Sequence, residues 1–284
     1  MQRMNFHTHS IYCDGTGTPE DYVQSALRKE FHALGFSGHT PLPFQNDWTM
    51  DEDTLPVYLN EIRRLRELYR GRIEIYLGLE TDYLDDEHNA NSPLLKSLGL
   101  DYQISSVHML CDPADGIYYS VDGPPDELEH LIKLTFKGSA RDLVRAYYRQ
   151  LQRMIETGGF DIIGHFDLIK KHNNKLNFFS EEESWYRKIV EETLHKTSAT
   201  GTMLEINTGA MSRGYADDPY PSPWIIELCA REKIPVILGS DAHKPEFIDY
   251  AFRETEELLI SKGYRYGWGL LKNTWQEVRY GKAT

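Results

Sequence analysis

The chain has 284 residues, of which 40% are hydrophobic and 26% are charged, as in an ordinary globular protein that buries a substantial core. Its formal net charge of −13 opposes binding to a polyanion, so we do not expect DNA or RNA as a partner. No apolar run approaches the roughly 20 residues of a membrane helix, and the N-terminus lacks the apolar segment of a signal peptide. We therefore expect a cytoplasmic protein that does not bind membranes, and the composition does not specify an oligomeric state.

Short apolar runs alternate with amphipathic helical patterns along the chain, which is typical of repeated βα units. The predicted strands are the opening segment around His7 and then residues 33–37, 73–79, 102–107, 161–164, 203–206 and 235–238. The predicted helices are one that Thr18 caps, residues 55–69 and 139–157, one that begins at Ser180, and residues 245–262 and 271–280, with residues 264–268 as a candidate eighth strand. The sequence therefore predicts a single α/β domain over residues 1–284, which is the usual size for a (β/α) barrel.

Two histidines lie close to the N-terminus in the segment NFHTHSIYCD, which covers residues 5–14. Side chains alternate along a strand, so His7 and His9 would point to the same side of an extended segment. Neutral imidazole is a preferred ligand of zinc, iron and similar divalent metals, and Asp14 adds a carboxylate a few residues later. A bare His-x-His is common without a metal, so a metal site requires further ligands from elsewhere in the chain.

Ligand-type side chains also follow most of the other predicted strands. Six of the seven strands have a histidine or a carboxylate at the C-terminal end, namely His7 and His9, His39, Glu80, His108, His165, and Asp241 with His243. In a barrel of parallel strands these ends meet at one mouth, where the active sites of such folds lie. With Asp14, nine ligands would converge, which is too many for one ion, since a tetrahedral zinc uses about four. The pattern predicts two or three divalent metals at the C-terminal mouth of the barrel.

Each of these residues also has a structural interpretation. Taken alone, His108 or His165 fits a core histidine that is hydrogen-bonded to backbone, but the coincidence over six strands favours the metal site. Five further histidines lie away from strand ends and are expected to be surface or packing residues, namely His32, His88, His130, His172 and His195. Glu205 is interpreted as a supporting residue that faces away from the mouth if Asn207 faces the mouth. Residues 109–135 form a long excursion and are expected to cover the site as a lid.

Seven segments together resemble one known family. They are FHTHSIYCDG, GFSGHTPLP, GLETDY, DYQISSVHML, FDIIGHFDLIKK, EINTGAMSRGY and GSDAHKPE. The set is similar to the polymerase and histidinol phosphatase (PHP) superfamily over nearly the whole chain, and within it resembles the histidinol-phosphatase branch. The resemblance implies a distorted TIM-like (β/α)7 barrel that holds a trinuclear cluster of zinc, iron or manganese. It also implies hydrolysis of a small-molecule phosphate monoester, L-histidinol phosphate, in histidine biosynthesis.

Carried over position by position, the resemblance implies three metal sites. The first would be held by two histidines and two carboxylates, namely His7, His9, Glu80 and Asp241. Glu80 would also bridge to the second metal, which His108 and His165 complete. The third would be held by Asp14, His39 and His243. All nine positions carry metal-binding residue types, so the set does not indicate an inactive protein.

The expected chemistry follows from the charge of a phosphate monoester. Its uncatalysed hydrolysis is among the slowest reactions known, so the site has to neutralise oxygens and supply a nucleophile. Metals lower the pKa of water from about 15.7 toward 7, and the expected nucleophile is a hydroxide that bridges two of them. Arg213 follows the sixth strand and is the candidate cation for phosphate, unless it is only an exposed loop arginine. The candidates for protonating the leaving group are Asp241, His243 and a metal-bound water.

Three other functions remain open on the sequence. A phosphodiesterase or nuclease of the same superfamily would share these ligands, although the acidic net charge disfavours it. A metal-dependent amidohydrolase also begins with His-x-His on a barrel strand, but the bridging lysine that many of those enzymes use is not evident at the fourth strand end. A non-catalytic metal-binding module would need neither an open barrel mouth nor a lid.

Overall fold

The structure is a computed structural model that describes residues 3–281. Its central element is one sheet of seven parallel strands. All strands in chain order are β1 (Arg3–Asn5), β2 (Phe31–Phe36), β3 (Glu74–Asp82), β4 (Tyr102–Ser106), β5 (Met109–Cys111), β6 (Tyr118–Ser120), β7 (Ile162–Ile163), β8 (Met203–Asn207), β9 (Val236–Gly239), β10 (Tyr266–Leu271) and β11 (Thr274–Arg279). The seven-stranded sheet has the order β1-β2-β3-β4-β7-β8-β9, and every neighbouring pair is parallel.

The two outer strands of this sheet meet just beyond their C-terminal ends and nearly close it into a barrel. The backbone N–H of His9 donates to the carbonyl of Ala242 at 3.0 Å, and the N–H of Ala242 donates to the carbonyl of His7 at 3.2 Å. A parallel bridge between Thr8 and Ala242 lies between these bonds. The predicted α/β barrel of (β/α)7 type is confirmed. Its closure brings the segments after β1 and β9 side by side at the C-terminal mouth.

The helices surround the barrel or lie in the loops of its mouth. In chain order they are α1 (Pro19–Arg28), α2 (Thr54–Leu68), α3 (Pro93–Ser97), α4 (Pro125–His130), α5 (Ala140–Thr157), α6 (Asn173–Leu176), α7 (Ser184–Thr200), α8 (Gly209–Ser212), α9 (Pro223–Arg231) and α10 (Phe252–Ser261). Thr18 caps α1 as predicted, because its Oγ1 accepts from the N–H of Asp21 at 3.2 Å while Asp21 Oδ2 accepts from the N–H of Thr18 at 2.8 Å. Within residues 3–281, the helices are too short or too polar for any of them to cross a bilayer.

Burial of apolar helix faces against the sheet forms the core. The predicted stripe of α5 is fully inside it, namely Leu143, Tyr147, Leu151, Met154 and Ile155. Inside the barrel, the hydroxyl of Tyr102 donates to the carbonyls of Phe6 and Phe36. Gly78 makes room for this ring, since a Cβ there would lie 2.4 Å from Tyr102 Cζ. Tyr102 therefore fills space inside the barrel and ties the segment after β1 to the end of β2.

Residues 109–135 have regular structure at the barrel mouth. They contain the antiparallel hairpin of β5 and β6, the helix α4 and a π-helical turn at Leu131–Thr135. The N–H of Val121 donates to the carbonyl of His108 at 2.8 Å, and Asp122 Oδ2 lies 3.0 Å from Lys171 Nζ. These bonds hold the segment beside the ends of β4 and β7.

Two sequence predictions near the C-terminus are wrong. The helix predicted over residues 271–280 is the strand β11, which pairs antiparallel with β10 in a separate two-stranded sheet. Lys272 and Asn273 both have positive φ values, 50° and 57°, as the turn between these strands requires. The candidate eighth strand is therefore part of this hairpin and not of the barrel.

The helix predicted over residues 245–262 is also interrupted, because Ala251 has φ 54° and α10 begins only at Phe252.

The start of α7 also differs from the prediction. The helix begins at Ser184, and the three glutamates after Ser180 precede it instead of forming its first turn. The N–H of Ser180 donates to Glu183 Oε1 at 3.3 Å, so this segment is a turn closed by its own carboxylate. The physical reason is that acidic residues suit the position before a helix as well as its first turn.

Candidate metal centre

The nine candidate ligands converge at the C-terminal mouth of the barrel. They come from the segments after β1, β2, β4, β7 and β9, from β3 itself and from the loop before α1, and they are His7, His9, Asp14, His39, Glu80, His108, His165, Asp241 and His243. Seven of them are at most 7% exposed. The other two, Asp14 and His243, have side chains 29% and 20% exposed and mark the open edge of the cluster.

The first ligand group contains two histidines and two carboxylates. His7 Nε2 lies 3.0 Å from Glu80 Oε2 and 3.6 Å from Asp241 Oδ1. His9 Nε2 lies 3.4 Å from Glu80 Oε2 and 3.2 Å from Asp241 Oδ1. Two ligands of one tetrahedral ion, each about 2.0–2.2 Å from it, are about 3.4 Å apart. The four atoms therefore have the spacing of ligands that share one ion.

The second group uses the other oxygen of Glu80. Glu80 Oε1 lies 2.8 Å from His165 Nε2 and 3.7 Å from His108 Nε2, and the two nitrogens are 3.2 Å apart. The hydroxyl of Ser106 donates to the same oxygen at 2.6 Å. The two oxygens of one buried carboxylate thus face different sets of histidines, since Oε2 also lies 3.4 Å from His39 Nδ1, and this is the arrangement of a bridging ligand.

The third group lies at the exposed edge of the cluster. His243 Nε2 is 2.9 Å from Asp14 Oδ2, and His39 Nε2 is 4.0 Å from Asp14 Oδ1. His9 also adjoins this group, since its Nδ1 is 3.4 Å from Asp14 Oδ1. The structure therefore brings all nine residues together in three adjoining groups, with His9 between the first and the third.

Two buried ring nitrogens test whether this cluster suits a metal. His9 Nε2 and His39 Nδ1 have no hydrogen-bond partner within the described part of the chain. A buried polar atom without a partner costs about 1–3 kcal/mol, so such atoms are rare. Imidazole nitrogens that face carboxylates without hydrogen-bonding to them suit a divalent cation between the two. The donor set of histidine nitrogen and carboxylate oxygen fits zinc, iron or manganese.

The ionised side chains of the cluster stabilise one another. Burial alone would raise the pKa of Glu80, but His7 and His39 hold it well below its usual range. Burial opposes ionisation of Asp241 as well, while Arg213 and His7 hold its pKa well below normal. Burial is the main effect on His39 and lowers its pKa to about 4. The carboxylates are therefore charged and available as ligands at neutral pH.

Two carboxylates outside the nine candidates contact histidine rings of the cluster; the sequence analysis did not single out Asp82, and it named Glu205 as a supporting residue without its partner. Asp82 Oδ1 lies 2.8 Å from His108 Nδ1, and Glu205 Oε1 lies 2.6 Å from His7 Nδ1. Although burial opposes it, Asp82 contributes to a rise in the pKa of His108 to about 10. The interpretation that Glu205 faces away from Asn207 is wrong, since residues two apart on a strand share a face and Asn207 Nδ2 donates to Glu205 Oε2 at 2.8 Å.

The sequence contained a signal for each of these supports. Asp82 lies two residues after Glu80 in GLETD, so it is on the same face of β3, which extends beyond the predicted strand end at residue 79. The same spacing relates Glu205 to Asn207 on β8. The other histidines do not join the three groups in residues 3–281, although His130 lies in the lid beside Asp112 and Asp115.

Arg213 lies at the edge of the ligand cluster and not on an exposed loop. It follows α8, and its Nη2 donates to Asp241 Oδ2 at 3.0 Å while Nη1 is 2.7 Å from His243 Nδ1. Its side chain is 28% exposed. Gly209 permits this approach, because a Cβ there would lie 2.6 Å from Asp241 Oδ2 and 3.0 Å from Arg213 Nη2. The guanidinium group is thus fixed next to two candidate ligands with part of its surface toward the mouth.

Aromatic side chains form one wall of the mouth. The ring of Trp48 packs edge-on against His39 and His108, with ring centroids 4.7 and 5.5 Å apart. Phe44, from the same loop, stacks on Tyr118 of the lid hairpin at 5.6 Å and 18°. The loop before α2 therefore contacts the hairpin of β5 and β6, and it touches one histidine of the second ligand group and one of the third.

Comparison with known proteins agrees with the fold and the motif set. Residues 5–209 match the PHP domain. Histidinol-phosphatase from Bacillus subtilis is 30% identical over 267 residues, which cover 89% of this chain and 97% of that protein. Histidinol-phosphatase from Lactococcus lactis is 25% identical over 252 residues, which cover 86% of this chain and 85% of that protein.

A solved structure shares the fold over nearly the whole chain. The histidinol phosphate phosphatase of Lactococcus lactis, solved in complex with zinc, L-histidinol and phosphate, has a TM-score of 0.74 and 20% identity, with 97% of this chain and 99% of that chain covered. The PHP domain match spans most of the chain, and the similarity to the Bacillus subtilis protein spans nearly all of it. The chain therefore belongs to the PHP domain family.

Proposed function

We propose that this protein is a metal-dependent phosphomonoesterase that hydrolyses L-histidinol phosphate to L-histidinol and phosphate. The observation that carries the proposal is the position of Glu80, whose two oxygens face different sets of histidines at the mouth of the barrel. The 30% identity to histidinol-phosphatase from Bacillus subtilis over 89% of the chain supports the choice of substrate. The activity belongs to a single domain that extends over residues 1–284.

The three ligand groups are proposed to hold two or three divalent ions of the zinc, iron or manganese type. The trinuclear arrangement that the resemblance implies is compatible with the geometry, since Glu80 adjoins histidines on both of its oxygens and His9, Asp14, His39 and His243 lie together at the open edge. When bound, such ions supply Lewis-acid chemistry, because they neutralise phosphate oxygens and lower the pKa of water. The zinc in the Lactococcus lactis structure is consistent with this proposal.

The role proposed for Arg213 is to bind the phosphate group. Guanidinium presents several N–H donors in one plane and binds two phosphate oxygens at once. Arg213 donates to Asp241 at 3.0 Å, which orients the guanidinium while leaving 28% of the side chain exposed for substrate. Asp241 therefore both belongs to the ligand cluster and holds the phosphate-binding cation.

The leaving alkoxide needs a proton, and Asp241 and His243 are the candidate residues for it. His243 is 20% exposed, whereas Asp241 is deeply buried and bonded to Arg213. Of the two, His243 is therefore the one that a substrate in the mouth reaches more easily. The aromatic contacts of Trp48 and Tyr118 are proposed to limit the access of bulk water to the same space.

Phosphate release from three substrates in parallel tests the proposal. L-histidinol phosphate, a generic aryl phosphate and a short oligonucleotide are each incubated with the metal-loaded protein, and the Glu80→Gln variant is the control for contaminating phosphatase. We expect a kcat/KM for L-histidinol phosphate that is much higher than that for aryl or simple sugar phosphates, and no cleavage of the oligonucleotide. Comparable efficiency across unrelated monoesters would contradict the substrate, and preferential cleavage of the oligonucleotide would indicate a phosphodiesterase.

A further inference from the structure

In residues 3–281, β8 is the one barrel strand that contributes none of the nine candidate ligands, yet it places a carboxylate against them. Glu205 of β8 is 1% exposed. Its Oε1 lies 2.6 Å from His7 Nδ1, while the other ring nitrogen of His7, Nε2, faces Glu80 Oε2 at 3.0 Å. The imidazole ring is therefore held between a carboxylate of the ligand cluster and a carboxylate outside it.

The second oxygen of Glu205 reaches a different ligand segment. Oε2 accepts from the backbone N–H of His165 at 3.1 Å and from Asn207 Nδ2 at 2.8 Å. Every group that faces Glu205 can donate a hydrogen, and an ionised carboxylate accepts at both oxygens. One side chain thus contacts the ligand groups on both sides of Glu80, the first through the ring of His7 and the second through the backbone of His165.

The neighbouring strand leaves space for this carboxylate. Gly239 of β9 lies next to it, and a Cβ at that position would come within 2.0 Å of Glu205 Oε1. An apolar side chain at residue 205 would fill the barrel without the cost of burying a charge, which is several kcal/mol unless the charge is paired. A buried carboxylate with a glycine opposite is therefore explained better by its contact with His7 than by packing.

We propose that Glu205 is a positioning residue that keeps the hydrogen of His7 on Nδ1 and so presents the lone pair of Nε2 to the first ligand group. The inference rests on the proposed function, since it assumes that this group binds a metal. Histidines that bind metals generally donate their other N–H to a carboxylate or carbonyl, and loss of that partner typically weakens metal binding about 10- to 100-fold. Asp82 has the same relation to His108 at 2.8 Å, so each of the two groups that share Glu80 has one histidine fixed in this way.

Glu205→Gln tests the role with little change in size. The amide has one acceptor and one donor end, so it places an NH2 group either against His7 Nδ1–H or against the donors from His165 and Asn207. Zinc affinity is measured by competition with a chromophoric chelator for the wild type, Glu205→Gln, Glu205→Asp and Glu256→Gln. Glu256 is the matched control, because it is 6% exposed, accepts from the backbone N–H of Gly281 and lines a cavity of about 810 Å³ away from the nine ligands.

We expect Glu205→Gln to weaken one zinc about 10- to 100-fold, Glu205→Asp to have a smaller effect because it keeps the charge, and Glu256→Gln to bind zinc as the wild type does. A second readout is the 15N NMR signal of the His7 Nδ1–H in zinc-loaded protein, identified by its absence from His7→Gln. This signal should be present in the wild type and shifted or lost in Glu205→Gln. A loss of packing alone would lower the melting temperature without a selective effect on this nitrogen.

Folded Glu205→Gln with wild-type zinc affinity and an unchanged His7 signal would overturn the inference and leave the proposed function intact. If Glu205→Gln does not fold, Glu205→Asp decides the question: its carboxylate is one methylene shorter and cannot keep the contacts with both His7 and His165, so wild-type zinc affinity with an unchanged His7 signal in this variant would also overturn the inference. Failure of the wild type itself to bind zinc, iron or manganese would overturn the proposed function and the inference with it, so the two failures are distinguishable.

Discussion

His108 Nε2 and His165 Nε2 lie 3.2 Å apart, and both face the same oxygen of Glu80. A neutral imidazole nitrogen without hydrogen has a lone pair, so two such nitrogens repel each other at this distance unless a proton or a cation lies between them. Glu80 Oε1 supplies the negative charge that a cation there requires. This geometry suits a proton or a metal ion shared by the two rings, and we propose a metal ion, which leads to the first prediction.

Removal of divalent metals should destabilise the protein. A ligand that binds only the folded state adds about 2.7 kcal/mol at a free concentration of 100 times its Kd. We expect the melting temperature measured by differential scanning calorimetry to fall after treatment with a strong chelator and to recover when zinc or manganese is added. Equal melting temperatures before and after chelation, with metal content confirmed as zero, would argue against metals in this cluster.

Glu80 and Asp14 should differ in the number of metals that depend on them. Glu80 faces both the first and the second group, so Glu80→Gln removes a charged ligand from two sites and should nearly abolish turnover. Asp14 faces the third group and should affect one metal when changed to Asn. Elemental analysis of the folded variants measures the stoichiometry. A Glu80→Gln variant with full metal content and near-normal activity would show that the bridging role is wrong.

Arg213→Ala should reduce kcat/KM while leaving the metal content unchanged. Loss of one donor to a developing negative charge commonly costs about 10²- to 10³-fold in rate. Arg213→Lys keeps the charge but loses the planar fork, so we expect it to recover only part of the activity. Steady-state kinetics with L-histidinol phosphate and elemental analysis separate the two effects. Normal kinetics for Arg213→Ala would mean that its contacts with Asp241 and His243 are only structural.

Metal affinity should increase with pH over a wide range. Burial opposes protonation of His7 and His108, but neighbouring carboxylates raise the pKa of His7 above its ordinary value and that of His108 to about 10. Metal-free protein therefore binds protons at these rings at neutral pH, and a metal has to displace them. Affinity should be lowest in acid and continue to rise from about pH 6.5, the ordinary histidine pKa, toward pH 10. Isothermal titration calorimetry in two buffers of different ionisation enthalpy would also detect the released protons. A metal affinity that does not change with pH, together with no release of protons, would contradict the protonation of these rings in the metal-free protein.

Much of the barrel could be predicted from the sequence because each of its signals is local. Apolar runs alternate with helical patterns, and the residue after each run is the one that reaches the barrel mouth, as with His39 after β2 and His165 after β7. The proximity of eight of the nine candidate residues follows from that rule, while Asp14 lies in the loop between β1 and α1. The same local reasoning identified the cap at Thr18, where both bonds of the capping box are present.

The errors arose where the structure of a segment depends on contacts outside that segment. Residues 271–280 form a strand because β10 pairs with them around a turn at Lys272, and periodicity within the segment does not show this. The contact of Glu205 with His7 joins positions 198 residues apart and needs the space at Gly239, which the sequence around Glu205 does not indicate. Arg213 could be recognised as a candidate but not as a partner of Asp241, since the pairing of β8 with β9 and the turn of α8 bring the two together.

The central claim is that this ligand cluster uses divalent metals to hydrolyse L-histidinol phosphate. Phosphate release from L-histidinol phosphate by metal-stripped protein, measured before and after stepwise addition of zinc, iron or manganese, tests it most directly. We expect negligible release of phosphate from the metal-stripped protein, and full activity once two to three equivalents of one of these metals are bound. Full activity of the stripped protein, or no release of phosphate from a fully reloaded and folded protein, would contradict it.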